Sequence, residues 1–181
     1  KLLTGELSTE DWGKVADLSP IFGASSLYMD DTAGITVAEM KAKLRRVRDL
    51  GLVVIDYLQL MSSSRRSENR VQEVSEITRS LKIMAKELNV PVITLSQLSR
   101  GPDSRSDHRP MLSDLRDSGS IEQDADIVLF LYREAYYEKE REDQSETECI
   151  VAKNRHGETG KIDLRWDGRY TRFFSVDRSR E

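Results

Sequence analysis

The sequence predicts an α/β fold: a mostly parallel sheet flanked by helices, ending in antiparallel strands. Three observations predict it. Short, continuous apolar runs recur at Leu52-Val53-Val54-Ile55, Val92-Ile93-Thr94-Leu95 and Ile127-Val128-Leu129-Phe130-Leu131, the pattern of strands covered on both faces. Helix-period stripes precede and separate them, and the last stretch of chain changes to period two. With 181 residues, 38% of them hydrophobic, the chain has material for one sizeable core.

In chain order, Ser8-Thr9-Glu10-Asp11 opens a first short helix, a hydroxyl cap with a carboxylate three positions on, and Trp12, Val15 and Leu18 follow at helical spacing. Leu27-Tyr28-Met29 reads as a strand running into Asp30-Asp31. Thr36 and Glu39 cap a second helix with Val37, Met40, Leu44 and Val47 on one stripe and Arg45, Arg46 and Arg48 outward. The strand at Leu52–Ile55 ends at Asp56, and Ser62 to Ser67 is a polar, basic loop. A longer helix starts near Val71, with Val74, Ile77, Leu81, Met84, Ala85 and Leu88 on the same side, and ends at Asn89 before Pro91. The strand Val92 to Ser96 follows, then a loop from Gly101 to Pro110. After Ile127–Leu131, Glu138 to Glu148 reads as a solvated excursion. Ile150, Ala152, Ile162, Leu164 and Trp166 alternate toward the Asp167-Gly168 turn and Tyr170 to Val176, which reads as antiparallel strands added to the sheet.

Composition narrows the classes of function. One third of the residues are charged but the signs are interspersed and the net charge is -4, so a nucleic-acid contact has to come from a local basic surface. Cys149 is the only cysteine, which excludes an internal disulfide framework and a cysteine-built zinc site and suits a reducing compartment. No apolar run approaches the roughly 20 residues that span a bilayer, and the first residues lack a signal peptide's apolar stretch. Lys1 opens in what reads as the middle of a domain, so the expectation is a fragment.

Several places carry chemistry. An apolar strand ending in a carboxylate is the form of a Walker B strand, in which Asp56 would hold a magnesium ion beside nucleotide phosphates; taken alone, the pattern favours an aspartate that simply starts a turn. Ser96-Gln97 ends the neighbouring strand, where an amide suits orienting water or sensing a γ-phosphate, or simply a satisfied sheet edge. Leu112 to Ile121 sets Arg116 beside Ser118-Gly119-Ser120, a combination for approaching phosphates and also an ordinary helix start capped by Ser120. Lys153 and Arg155 lie on one side of a hairpin tip, from which such residues can reach outward as an arginine finger does; taken alone, they read as the commonplace exposed cations of a hairpin. His108 and His156 read as surface histidines. The chain contains no G-x-x-x-x-G-K-[ST] loop; Gly157-Glu158-Thr159-Gly160-Lys161-Ile162 fails both the glycine spacing and the final hydroxyl.

Together, Ile55-Asp56-Tyr57-Leu58-Gln59-Leu60, Glu73 to Ile77 with Arg79-Ser80-Leu81-Lys82, Leu95-Ser96-Gln97-Leu98-Ser99-Arg100-Gly101, and Ser118-Gly119-Ser120-Ile121-Glu122-Gln123-Asp124-Ala125-Asp126 resemble the DnaB family of replicative helicases in content, order and spacing. The likeness runs from Gly5 to about Val176. It implies a RecA-like P-loop NTPase core in a homo-hexameric ring that encircles single-stranded DNA and unwinds duplex with ATP and Mg2+, in the bacterial cytoplasm at the replisome, with primase and a loader as partners. It implies that Asp56 is the Walker B aspartate and magnesium ligand and that Gln97 links the nucleotide site to the DNA loops. Arg116, Asp117 and Gly119 fall on the central-channel loop, Lys153 and Arg155 on the finger acting in trans, and Ser62 to Asn69 on another channel-facing loop. Asp117 departs from the family's usual glutamate.

The resemblance also implies that the phosphate loop, its helix, the flanking strands and an amino-terminal primase-binding domain precede Leu2. The expectation is therefore one partial RecA-like domain over residues 1–181, with exposed backbone and apolar surface and no ATPase activity of its own. A recombinase or clock-type RecA relative shares the strand order and the finger position. A non-enzymatic oligomerisation or DNA-binding remnant of the fold is the reading from another class. Metal nuclease chemistry from Asp30, Asp31 and Asp56 lacks further ligands.

Overall fold

The computed structural model describes residues 1, 4–64, 69–115, 119–138, 140 and 142–176. The chain divides into two compact units, Lys1–Thr32 and Ala33–Glu181.

The first unit is one helix with its flanks, α1 (Thr9–Ala24), which continues past Pro20. Its start is the predicted capping box: the Asp11 N–H donates to Ser8 Oγ at 3.2 Å and the Ser8 N–H to Asp11 Oδ2 at 3.0 Å. The Lys1 ammonium lies 2.9 Å from the same carboxylate and, with the Ser8 bonds, holds it well below the usual carboxylate range. Trp12, Val15 and Leu18 are all exposed. The predicted strand at Leu27–Met29 is not formed; the segment is irregular and its side chains are exposed. A strand exists only through hydrogen bonds to a neighbour, and no described residue pairs with this one. Asp30 instead closes a local turn, accepting the Thr32 N–H at 3.1 Å.

The second unit is a β-α-β layer joined to an antiparallel meander. Its first helix, α2 (Val37–Leu44), has the predicted Thr36–Glu39 box. Strands β1 (Val53–Ile55) and β2 (Val92–Thr94) are parallel neighbours in the register Val53↔Val92, Val54↔Ile93, Ile55↔Thr94. Between them runs α3 (Arg70–Leu88). Asn69 caps its start by accepting the Gln72 N–H at 2.9 Å, and Asn89 ends it in the left-handed region at φ 53°. Val74, Ile77, Leu81 and Met84 lie buried on one face, as their spacing predicts. Val71, read onto the same face, is half exposed, because it sits on the first turn beyond the sheet's cover.

A short helix, α4 (Gly119–Asp124), leads into β3 (Ile127–Tyr132), followed by β4 (Glu146–Asn154), β5 (Gly160–Asp167) and β6 (Arg172–Ser175). These four strands form an antiparallel sheet in chain order, separate from the β1–β2 pair. The parallel and antiparallel parts are thus two sheets, and the final strands are added to β3 alone. Glu146 to Glu148, read as solvated excursion, are the first residues of β4, where Thr147 is buried.

The core gathers Val53, Ile55, Leu58, Val74, Ile77, Leu81, Met84, Val128 and Phe130. β1 and β3 bury only alternate residues: Val54 is 58% exposed and Leu129 56%. Cover on both faces, predicted from their unbroken apolar character, is therefore absent among the described residues. The helices pack on one face, and the other presents Leu52, Val54, Ile93, Leu95, Ile127 and Leu131.

Ile77→Ala is expected to destabilise the fold by about 3 kcal/mol through loss of packing and an unfilled cavity, whereas Val71→Ala should cost no more than roughly 0.5 kcal/mol. Urea denaturation of the two variants checks the contrast; equal losses would contradict the burial pattern.

Candidate functional site

Asp56 and Gln97 leave the carboxyl ends of adjacent parallel strands, where an open α/β sheet gathers its ligands. Both are exposed. Beyond the last paired residues the strands stay joined: the Leu95 N–H donates to the Ile55 carbonyl and the Leu58 N–H to the Leu95 carbonyl, each at 2.9 Å. The structure adds a residue to which the sequence reading assigned no role. The Gln59 carboxamide spans the two strand ends, donating to Ser96 Oγ at 2.9 Å while its Oε1 accepts the Gln97 N–H at 3.2 Å. An amide is suited to this because it both donates and accepts. The available signal was a single amide within Leu58-Gln59-Leu60-Met61, otherwise apolar.

Gln59 is anchored in turn. Arg70, at the start of α3, donates to the Gln59 carbonyl at 2.7 Å and to Glu73 Oε2 at 2.6 Å. The loop leaving Met61 is tied to the same helix, with Ser63 Oγ donating to Glu76 at 2.5 Å. Of the predicted loop from Ser62 to Asn69, residues 65–68 lie outside the described residues.

The segment after β2 is held by an ion pair between a buried carboxylate and a half-buried guanidinium. Asp114 is 3% exposed and faces Arg105 through both oxygens, with Arg105 Nη1 at 2.9 Å from Oδ1. The Met111 N–H adds a bond at 2.8 Å, and the Ser99 N–H donates to the Asp114 carbonyl at 2.8 Å. The Arg105 guanidinium, aided by the Met111 amide and opposed by burial, holds the Asp114 carboxyl below its usual range. A Cβ on Gly101 would collide with Asp114 Oδ1, so the close approach requires glycine. Farther along the loop, Arg109 grips Glu148 of β4 at 2.6 and 2.9 Å. Arg109, with Lys161 beside it, lowers the Glu148 pKa.

This framework leads to the predicted channel segment. Arg116 and Asp117 lie outside the described residues, while Gly119 is the first residue of α4. Ser120, read as a cap, stands within the helix, and its Oγ accepts from Ser75 Oγ of α3 at 2.9 Å. Thr78 donates to Asp124 at 2.6 Å and Lys82 pairs with Asp126. Ser75, Thr78 and Lys82 follow one another along the polar side of α3, so that side fastens α4 while the apolar side enters the core.

Lys153 and Arg155 differ from the outward reach predicted for them. The Lys153 ammonium donates to the Glu122 carbonyl at 2.5 Å and the Ala125 carbonyl at 2.8 Å. Arg155 donates through Nη2 to the Gln123 carbonyl at 3.1 Å, and its main-chain N–H to the Asp126 carbonyl at 2.9 Å. The last carbonyls of a helix lack intrahelical partners and carry partial negative charge, which draws both cations onto the end of α4. His108 stacks on Tyr137 with centroids 4.3 Å apart and meets the Pro102 carbonyl through Nδ1 at 2.9 Å; the His156 side chain is exposed.

Among the described residues the Asp56 carboxylate has no hydrogen-bond or ion-pair partner, and none form a cluster of three or more His, Cys, Asp or Glu suited to a metal. An open carboxylate at a strand's end is a fitting single protein ligand for a hard cation that keeps most of its water and binds phosphate oxygens. It does not form a dedicated metal cage.

Residues 1–175 match the family described as DnaB-like helicase C terminal domain. Over 181 residues the chain is 54% identical to the replicative DNA helicase DnaC of Bacillus subtilis (strain 168), an alignment covering 98% of this chain and 40% of that relative. A solved DnaB-like replicative helicase, whose structure was described with its interactions with primase, superposes with a TM-score of 0.88 at 42% identity, covering 96% of this chain and 44% of that one. A second solved structure, of an ATPase domain, superposes with a TM-score of 0.88 at 43% identity over 95% of this chain and 62% of that one.

Because the pKa of Asp114 is lowered on folding, its contribution is present above the unfolded value of about 3.9 and lost as pH falls toward the folded one. Asp114→Asn should therefore cost about 2 kcal/mol at neutral pH, the scale of hydrogen bonds to a charged group. It should also flatten the fall of Tm on acidification below about pH 4. Thermal unfolding of both proteins across that range checks this; parallel acid limbs would assign the linkage to other carboxylates.

Proposed function

The chain belongs to the DnaB-like helicase C terminal domain family, and from that premise we propose that it is the larger part of the motor of a replicative DNA helicase, which uses ATP to drive a homo-hexameric ring along single-stranded DNA and unwind the duplex ahead. The observation that carries the reading is the pairing of Asp56 and Gln97 at the ends of adjacent strands, with Gln59 bonded across them. A change at one strand end is thereby passed to the other by a single side chain.

In this reading Asp56 binds Mg2+, which supplies charge neutralisation to the terminal phosphates of ATP when it is bound. Gln97, its main chain fixed by Gln59, presents an exposed amide at the start of the segment that Arg105 and Asp114 fold back toward residue 116. Arg116, Asp117 and Gly119 contact the DNA backbone, giving affinity without base preference. Lys153 and Arg155 act on nucleotide bound by the neighbouring subunit, Arg155 through the part of its half-exposed guanidinium that α4 leaves open and Lys153 on release from the α4 carbonyls. The 181 residues contain no phosphate-binding loop, so the reading places the triphosphate cradle in sequence that they do not include. Primase and a loader are proposed partners, and the cytoplasm the proposed compartment; none of the described helices is long and apolar enough to cross a membrane. The match to the helicase family over residues 1–175, which includes the channel segment from Ser113 to Asp126, favours this reading over a recombinase.

In the full-length protein, Asp56→Ala should lower the kcat of DNA-stimulated ATP hydrolysis by about 10²- to 10³-fold, the scale of losing a metal's contribution. The 181 residues alone should hydrolyse no ATP above background; a robust rate removed by Asp56→Ala would overturn the assignment of the cradle.

Arg116→Ala should weaken single-strand binding uniformly across sequences and reduce the slope of log K against log salt by roughly 0.7, the value for one phosphate contact on a single strand. Salt titration of binding measures both, and an unchanged slope would remove Arg116 from the DNA contact.

A further inference from the structure

One carboxylate organises the end of α4. Asp126 lies just beyond that helix and takes the Lys82 ammonium from α3 on Oδ2. Its Oδ1 stands 3.7 Å from Arg155 Nε, and its carbonyl accepts the Arg155 N–H at 2.9 Å. With the Gln123 carbonyl on Nη2 at 3.1 Å, Arg155 is fixed at its main chain and along one edge of its guanidinium. Among the described residues Nη1 has no partner, and the side chain is 47% exposed. A guanidinium is a rigid fork, so fixing one edge sets the direction in which the remaining donors point.

Asp126 also separates two cations. Lys82 approaches from α3 and Arg155 from the turn after β4, and each faces a different oxygen of this carboxylate. Without it they would repel each other, and Arg155, held otherwise by carbonyls, would turn away. The Lys82 ammonium, with Arg155 adding, keeps the Asp126 carboxyl below its usual range, so it is ionised at neutral pH.

We infer that Asp126, braced by Lys82, is the positioning residue for Arg155, orienting its guanidinium toward the phosphates of the neighbouring subunit. The inference rests on the reading of Arg155 as a residue that acts in trans. It also gives α4 a task. The helix starts within the proposed DNA-gripping segment, at Gly119, and its 6 residues end two positions before Asp126, about 9 Å of rigid rise. A displacement of that segment by DNA is carried through α4 to the anchor of Arg155, and from there to a nucleotide bound next door.

The test uses the full-length protein and two mixtures of subunits. Asp126→Ala rings should lose about 10²-fold in kcat, the scale of a misplaced reacting group, while KM for ATP changes by less than about two-fold, since nucleotide binding to the variant's own subunit is untouched. Each Asp126→Ala subunit keeps its own Asp56, and each Asp56→Ala subunit keeps a positioned Arg155. Rings mixed from these two variants should therefore hydrolyse ATP faster than the sum of the separate preparations. Rings mixed from Arg155→Ala and Asp56→Ala serve as the reference. Recovery in the reference mixture without recovery in the Asp126 mixture would overturn the inference and leave the trans reading standing; no recovery in either would remove both. Asp126→Asn, which keeps size and drops charge, should give the same pattern at smaller amplitude, and full activity in that variant would overturn the inference as well.

Discussion

The two faces of α3 are the constraint from which the rest of the second unit follows. One face, Val74, Ile77, Leu81 and Met84, is buried in the core with Val53 and Ile55 of β1 and Val128 and Phe130 of β3. The other, Ser75, Thr78 and Lys82, is bonded to Ser120, Asp124 and Asp126. Burial of the first face is non-directional and supplies most of the stability. The second is directional and fixes where α4 lies. A single helix therefore packs under the strands that carry Asp56 and Gln97 at their ends and fastens α4, which starts within the proposed channel segment.

Around that helix the polar contacts place loops more than they add stability. Removing the Asp114 carboxylate from water is costly and offsets much of what its pairing with Arg105 gains. What the pair gives is geometry: a carboxylate gripped by a guanidinium and a main-chain amide, with Gly101 too close to tolerate a side chain. Gln59 acts similarly on the strand ends. In both cases a polar group with more than one partner ties together segments that the chain alone would leave separate. Arg109, Lys161 and Glu148 extend the same logic to the antiparallel sheet, fastening the loop after β2 to β4 and β5.

Much of this was legible in the residues. The boxes at Ser8–Asp11 and Thr36–Glu39, the buried stripe of α3, its Asn89 end, the parallel β1 and β2 and the closing antiparallel strands all rest on interactions between residues close in sequence or on simple periodicity. Asp56 and Gln97 were legible because a strand's carboxyl end is fixed once the strand is. Leu27–Met29 was misread because a strand needs a partner, and sequence periodicity does not say whether one is there. β1 and β3 were read as covered on both faces because side chains in both directions are apolar, yet the packing of helices covers only one.

The order of the elements and the identity of the strand-end residues were thus set by the sequence itself, since helix caps, hydrophobic period and turn residues act over a few positions. Only the tertiary structure decided how those elements are tied together: Gln59 across two strand ends, Arg105 on Asp114, and Lys153 and Arg155 bonded to carbonyls at the end of α4. The physical reason is that a side chain's partner is chosen by which unsatisfied group lies within hydrogen-bonding distance after the core has closed. That distance does not exist in the sequence.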